Sequence, residues 1–187
     1  MTVFVAAVGA HSTGKTTLVE KLYELLKDKV VVATVMDLAR ELPRDELGSL
    51  AGQMRIFTKM YSKMKELDGE YDLVICDRGF LDVIAYYVHN GWMFGWNEDE
   101  FIAARDQVGE LLEADRIFFD YYVFCPIENF ELVDDGFRFT DSIGRCVVDL
   151  IIYSLLESGQ RRYTVYRVDN VDEIVKDILE MVRNEDE

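Results

Sequence analysis

A long hydrophobic run is missing from this chain. No apolar stretch reaches the roughly 18 residues that a helix needs to cross a bilayer, so we predict no membrane span. The N-terminus enters a short apolar run without a basic region before it, which argues against a secretory signal peptide. A membrane protein and a secreted protein are therefore not expected.

Cysteine is also scarce, with only Cys76, Cys125 and Cys146 in the chain. The three are far apart and show no metal-ligand pair spacing. Cys76 and Cys125 end apolar runs, where cysteine commonly packs as a small hydrophobic residue. This usage predicts reduced thiols in a cytoplasmic protein rather than a disulfide framework.

Positive charge is in short supply. The chain has 20 Lys and Arg against 36 Asp and Glu, a net charge of -16 at pH 7, and no run of basic residues. A surface this acidic repels phosphate backbones, so nucleic-acid binding is not expected. Acidity of this kind by itself favours solubility.

The strongest functional signal is the loop at residues 9–16, GAHSTGKT. It satisfies the pattern G-x-x-x-x-G-K-[ST] (Walker A) at every fixed position. An apolar strand-like run precedes the loop and an apolar helical stripe follows it, and this is the context in which the pattern binds phosphate. Its two glycines allow backbone angles closed to other residues, so loop N–H groups can surround an anion. The sequence predicts a nucleoside triphosphate site.

Residue types within this loop suggest separate roles. Lys15 supplies positive charge for the outer phosphates, and the Thr16 hydroxyl is the expected Mg²⁺ ligand. His11 occupies a variable position, and we expect a tolerated polar residue there. Nothing in the pattern selects ATP over GTP. The predicted nucleotide-binding residues are Gly9, Ala10, His11, Ser12, Thr13, Gly14, Lys15, Thr16 and Thr17.

Apolar strands alternate with helical stripes along the whole chain. Near-continuous apolar strands separated by helices indicate an α/β fold with a parallel sheet covered on both faces. Because no repeat, low-complexity segment or linker interrupts the pattern, we predict one domain over residues 1–187. Ligands of such sheets bind at the carboxyl ends of the strands. The predicted strands are residues 3–8, 30–36, 73–76, 121–125 and 164–168. A helix is predicted from Arg78 to His89.

Three charged residues follow these strands directly. Asp77 comes after the third strand and is predicted to hold Mg²⁺ through a water, or to cap the next helix. Arg78 is placed to contact a substrate, and the alternative is an ion pair with Asp82 four residues on. Asp37, after the second strand, is a candidate general base, ribose contact or cap of the following segment.

A polar, irregular stretch at residues 127–141 precedes a predicted helix that contains Arg145, and residues 127–145 are the predicted lid over the nucleotide. Arg138 or Arg145 would stabilise charge on the transferred phosphoryl group, and the alternative is two solvated arginines that balance nearby acids. The aromatic segment 91–96 is a candidate for stacking a planar substrate or binding a partner, or simply for core packing.

Four stretches, residues 9–18, 37–41, 74–86 and 135–141, resemble the P-loop kinases of nucleosides and nucleotides. The sequence is most similar to NadR-type, ribosylnicotinamide kinase-like AAA-like ATPase domains. Its Asp-Arg pair followed by Ala-Tyr is similar to the motif of thymidylate kinases. Asp37 departs from the pattern, because this branch often has Glu after the second strand.

The resemblance implies a five-stranded parallel sheet of order 2-3-1-4-5, ATP and Mg²⁺, a lid, and an arginine that faces the phosphoryl acceptor. We expect phosphoryl transfer to a nucleoside or nucleoside monophosphate. The rivals are a nucleotide-dependent switch that acts on a protein or lipid, and a kinase of polynucleotide ends, which the acidic surface disfavours. The sequence does not decide whether the chain forms a homodimer. The predicted catalytic residues are Lys15, Asp37, Arg78, Arg138 and Arg145.

Overall fold

The structure is a computed structural model that describes residues 1–43, 46, 49–129 and 142–185. Its strands are β1 (Val3–Val8), β2 (Val32–Val35), β3 (Leu73–Asp77), β4 (Tyr121–Phe124) and β5 (Tyr163–Val165). Its α-helices are α1 (Lys15–Leu26), α2 (Leu50–Leu67), α3 (Phe80–Met93), α4 (Glu98–Phe118), α5 (Ser142–Ser158) and α6 (Val171–Glu185). Two short 3-10 helices span Leu38–Glu41 and Ile127–Asn129.

The five strands form one parallel sheet in the order β2-β3-β1-β4-β5. This confirms the predicted fold and strand order. In the central strand β1, Ala6 lies opposite Cys76 on one side and Tyr122 on the other. Because parallel strands are joined by crossovers, their carboxyl ends collect at one edge of the sheet, where the loop after β1 lies.

Alternation along β1 divides the core into two layers. Phe4, Ala6 and Val8 face a cluster that includes residues of α2, α3, α4 and α5. Val3 and Val5 face the opposite cluster, which α1 and α6 cover. Both faces of the sheet are therefore buried, which explains why the strands are apolar at consecutive positions. None of the described helices is both long and apolar enough to cross a bilayer.

Several element boundaries differ from the sequence prediction, and β2, for example, spans Val32–Val35 rather than residues 30–36. Strand β5 ends at Val165 because the following residues turn, and the Asn170 side chain holds that turn by accepting from Arg167 N and donating to Val165 O. Helix α3 begins at Phe80 rather than at Arg78, which has φ 104. A positive φ at a non-glycine residue is incompatible with a right-handed helix, so Arg78 stays in the turn after β3.

Candidate active site

The loop between β1 and α1 has the backbone of an anion-binding turn. Gly9 and Gly14 have positive φ values of 151 and 76. A Cβ on Gly9 would lie 2.3 Å from the carbonyl oxygen of Cys125, so no larger residue fits there. Gly14 is the N-cap of α1, and the first turn of a helix presents N–H groups suited to an anion.

Lys15 is buried inside the loop that it follows. Its ammonium donates hydrogen bonds to the carbonyl oxygens of Gly9 at 2.7 Å and Ala10 at 2.6 Å. Burial lowers the pKa of Lys15 from its ordinary value, while the nearby carboxylates of Asp82 and Asp77 oppose that shift. The ammonium group therefore lies where it would contact an anion bound by the loop.

Thr16 and Asp77, the two predicted metal ligands, are in direct contact. The Thr16 hydroxyl donates to Asp77 Oδ2 at 2.5 Å, which joins the start of α1 to the end of β3. A hydroxyl and a carboxylate are hard oxygen donors, and Mg²⁺ usually takes one or two protein oxygens together with water and phosphate. The donor set fits Mg²⁺.

Asp37 and Arg78 form a buried ion pair across the ends of β2 and β3. Arg78 Nε lies 2.7 Å from Asp37 Oδ1, and the two side chains are 7% and 3% exposed. Burial lowers the pKa of Arg78, but Asp37 and then Tyr86 raise it, and the net shift is upward. Asp37 also caps the first 3-10 helix by accepting from Ala39 N, so the predicted capping role is real and coexists with the pair.

Asp82 braces the phosphate loop from α3, and is not the ion-pair partner that the sequence suggested for Arg78. Its carboxylate is fully buried and accepts from Gly9 N at 3.2 Å and Gly79 N at 2.9 Å. Burial raises its pKa, although Lys15 and Arg78 lower it. The loop and the turn that carries Arg78 are thus tied together by one side chain.

Tyr86 is a site residue to which the sequence analysis assigned no role. Its hydroxyl accepts from His11 N at 3.0 Å and lies 3.1 Å from His11 Nδ1. The Arg78 guanidinium lies over its ring, 5.4 Å from the centroid. The spacing of Asp82 and Tyr86 was an available signal, because residues four apart share a helix face.

Arg145, in the first turn of α5, also reaches the loop. Its guanidinium donates to the carbonyl oxygens of His11 and Ser12, both at 3.1 Å, and the residue is buried. It is therefore not the solvated arginine of the alternative interpretation. Arg138 lies outside the described residues, as does most of the predicted lid, and Thr17 is exposed on α1.

The aromatic segment divides into packed and exposed residues. Trp96 packs against Tyr87 and Phe101, with ring centroids 5.3 and 5.1 Å apart. Trp92 and Phe94 are 62% and 67% exposed. Local packing of aromatic rings therefore accounts for the half-buried Trp96, and the rings of Trp92 and Phe94 are accessible.

Comparison with protein families shows one match over most of the chain. The family described as AAA domain matches residues 4–173. A comparison with curated proteins found no match.

Several solved structures share this architecture over nearly the whole length of both chains. Thymidylate kinase from Ehrlichia chaffeensis is 18% identical with a TM-score of 0.58, covering 97% of this chain and 98% of that chain. Deoxyadenosine kinase from M. mycoides with bound dCTP is 12% identical with a TM-score of 0.69, covering 96% and 100%. The same enzyme with bound dATP is 13% identical with a TM-score of 0.67, covering 98% of each. At these identities the matches establish a shared fold.

Proposed function

We propose that this chain, which belongs to the AAA domain family, is a P-loop kinase that transfers a phosphoryl group from ATP or GTP to a nucleoside-type small molecule. The observation that carries the proposal is a cluster of charged residues at the carboxyl edge of the sheet, which forms a site with two halves. Lys15 and the Thr16–Asp77 contact form the phosphate half, and the buried Asp37–Arg78 pair forms the other. The fold shared with thymidylate and deoxyadenosine kinases supports this assignment.

On the donor side, the loop N–H groups and the start of α1 would hold the triphosphate. Lys15 would give up its hydrogen bonds to the loop carbonyl oxygens and donate to the outer phosphate oxygens instead. Thr16 and Asp77 would hold Mg²⁺, which neutralises phosphate charge when bound. Arg145 lies against the same loop and would add positive charge near the transferred group, and Arg138 stays a predicted partner in that role.

On the acceptor side, Asp37 would accept the proton of an attacking hydroxyl group. Arg78 would orient that hydroxyl from the same pair. Because Asp37 already compensates the charge of Arg78, a neutral nucleoside suits this pocket better than a monophosphate, whose charge would sit beside the carboxylate.

The test is nucleoside triphosphate consumption across a panel of nucleosides and nucleoside monophosphates. Ribosylnicotinamide, thymidylate (thymidine monophosphate) and deoxyadenosine enter the panel because of the NadR-type resemblance and the structural matches. We expect Lys15→Ala and Asp77→Ala to lose about 100-fold or more in turnover, since catalysis of phosphoryl transfer is mostly positioning and charge stabilisation. The control is Lys21→Ala, an exposed lysine on α1. Unchanged turnover in Lys15→Ala or Asp77→Ala would refute this site.

A nucleotide-dependent switch is the second candidate, favoured by the exposed rings of Trp92 and Phe94. Exposed aromatic side chains are typical of partner-binding surfaces. This candidate predicts that no acceptor stimulates hydrolysis and that a partner is captured only in the triphosphate state. A cytoplasmic location, one domain with a lid, and the closer NadR-type relationship stay predictions for either candidate.

A further inference from the structure

We infer that Tyr86 is a positioning residue that couples the phosphate loop to the acceptor half of the proposed site. The inference rests on the proposed function, because it needs two ligand sites that adjoin each other. It assigns to Tyr86 the energetic link between those sites.

The hydroxyl group of Tyr86 fixes one corner of the phosphate loop. It accepts from the backbone N–H of His11 at 3.0 Å and contacts the His11 ring at Nδ1, 3.1 Å away. Arg145 holds the carbonyl oxygen of the same residue at 3.1 Å. Both peptide groups of His11 are thus bound by side chains from different helices, and the position of Tyr86 sets where this corner lies.

The ring of Tyr86 contacts the acceptor half of the proposed site. The guanidinium of Arg78 lies 5.4 Å from the ring centroid, within the range of a cation–π interaction. Arg78 is in turn paired with Asp37 at 2.7 Å. A continuous series of contacts therefore runs from Asp37 through Arg78 and Tyr86 to His11.

A ligand that moves Arg78 must change the contact between Arg78 and the Tyr86 ring. The hydroxyl of the same rigid side chain then shifts relative to His11. The affinity of the loop for phosphate therefore depends on what is bound on the acceptor side. Coupling of this kind is reciprocal, because each ligand changes the affinity for the other by the same factor. Asp82, one helical turn earlier, accepts hydrogen bonds from Gly9 N and Gly79 N. These bonds hold the start of α3 against the loop while the Tyr86 side chain moves.

The test is a double-mutant cycle that needs no acceptor. Affinity for a nonhydrolysable ATP analogue with Mg²⁺ is measured by calorimetry in wild type, Arg78→Met, Tyr86→Phe and the double variant. Tyr86→Phe keeps the ring and removes the hydroxyl. We expect Arg78→Met to change the affinity about fivefold in wild type and less than about twofold in the Tyr86→Phe background.

Two further variants complete the experiment, one as a substitute for Arg78→Met and one as a control for Tyr86→Phe. Asp37→Asn replaces Arg78→Met if that variant unfolds, and the same loss of effect is expected. Tyr87→Phe is the matched control, because the neighbouring hydroxyl contacts Gln107 on α4 instead of the loop. It should leave the effect of Arg78→Met at its wild-type size.

Equal effects of Arg78→Met in the wild-type and Tyr86→Phe backgrounds would overturn the inference. An absence of any effect in the wild-type background would overturn it as well. Failure of the proposed function has a different signature, in which the analogue binds and the cycle shows coupling but no member of the acceptor panel is phosphorylated. When an acceptor is found, Tyr86→Phe should also reduce the acceptor-induced change in analogue affinity.

Discussion

Lys15 shows how burial shapes the chemistry of a single side chain. Its ammonium is satisfied by two carbonyl oxygens of its own loop, and burial lowers its pKa. A buried cation gains strongly from an anionic partner because little water competes for it. The same reasoning applies to Asp37 and Arg78, whose charges are kept in the protein interior by their mutual contact.

Removal of the Asp37 carboxylate should impair chemistry more than nucleotide binding. We expect Asp37→Asn to reduce kcat about 100-fold or more, because general-base catalysis contributes roughly that much. Affinity for the ATP analogue should change only about fivefold, since Asp37 belongs to the proposed acceptor side and reaches the loop only through Arg78 and Tyr86. Steady-state kinetics and calorimetry on the same preparations separate the two quantities. A kcat near the wild-type value would exclude Asp37 as the base.

The Thr16 hydroxyl should matter for magnesium-dependent binding. Thr16→Ala removes a hard oxygen donor that now contacts Asp77, so the Mg²⁺-dependent gain in nucleotide affinity should fall about tenfold. Titrations with and without Mg²⁺ measure that gain. Thr58→Ala on α2 is the control, because its hydroxyl bonds only to Met54 O among the described contacts. Equal gains in both variants would contradict the metal assignment.

Helix α3 is the element that organises the site. From one face it sends Asp82 to the loop backbone and Tyr86 to His11, while its first residue, Phe80, is buried in the core. A single rigid element thus sets the loop against the turn that carries Arg78. The site depends on the packing of α3 as much as on the loop motif itself.

Loss of the Asp82 brace should destabilise the fold. In Asp82→Asn, one carboxylate oxygen becomes an NH₂ group that faces a backbone N–H, and a buried donor without an acceptor costs about 1–3 kcal/mol. Urea unfolding should show a loss of that size. Asp106→Asn on α4, whose side chain is 75% exposed, should change stability little. Similar stabilities for the two variants would contradict the bracing role.

Helix α4 carries a buried acid that predicts a pH effect on stability. Asp115 accepts from the Tyr122 hydroxyl at 2.7 Å and pairs with Arg161 at 2.7 Å. Burial raises the pKa of Asp115 from 3.8 to about 6, although Tyr122 and Arg161 oppose the shift. Because the folded-state pKa is raised, this contribution to stability is complete below about pH 4 and is lost as the pH rises through about 6.

The measurement for Asp115 compares wild type with Asp115→Asn across that pH window. Asparagine does not titrate, so the free energy of unfolding of wild type should fall by about 2 kcal/mol relative to the variant between about pH 4 and pH 7. The removed ion pair shifts the variant by an offset that contributes little to this slope. Parallel curves over the window would show that Asp115 has an ordinary pKa in the folded protein.

Charge is the dominant property of the molecule taken as a whole. A net charge of -16 on 187 residues means that acidic groups repel one another in the compact state. Salt screens that repulsion over about 10 Å at 0.1 M and over shorter distances at higher concentration.

Thermal stability should therefore increase with ionic strength. We expect the Tm to rise by several degrees between low salt and about 0.5 M NaCl, because screened self-repulsion favours the folded state. Scanning calorimetry at fixed pH makes the measurement. The same series in KCl tests whether the effect is general screening or specific ion binding. A Tm that falls with both salts would show that attractive ion pairs outweigh the repulsion.

Local patterns were sufficient for much of this molecule. The glycine spacing at residues 9–16 predicted a loop with backbone angles that favour glycine, and the apolar runs predicted a parallel α/β sheet, because both depend on neighbouring residues and on period. The boundaries at β5 and α3 escaped prediction. A buried asparagine side chain ended the strand, and a positive φ at Arg78 delayed the helix.

The pairings within the site were decided only by the tertiary structure. The sequence placed Asp37 and Arg78 each after a strand, but their contact arises because β2 and β3 are adjacent in the sheet. In the same way, α5 brings Arg145 to the carbonyl oxygens of the loop, and α3 turns Tyr86 toward His11. Side chains far apart along the chain meet according to strand order and helix packing, and no local pattern of residues encodes those distances.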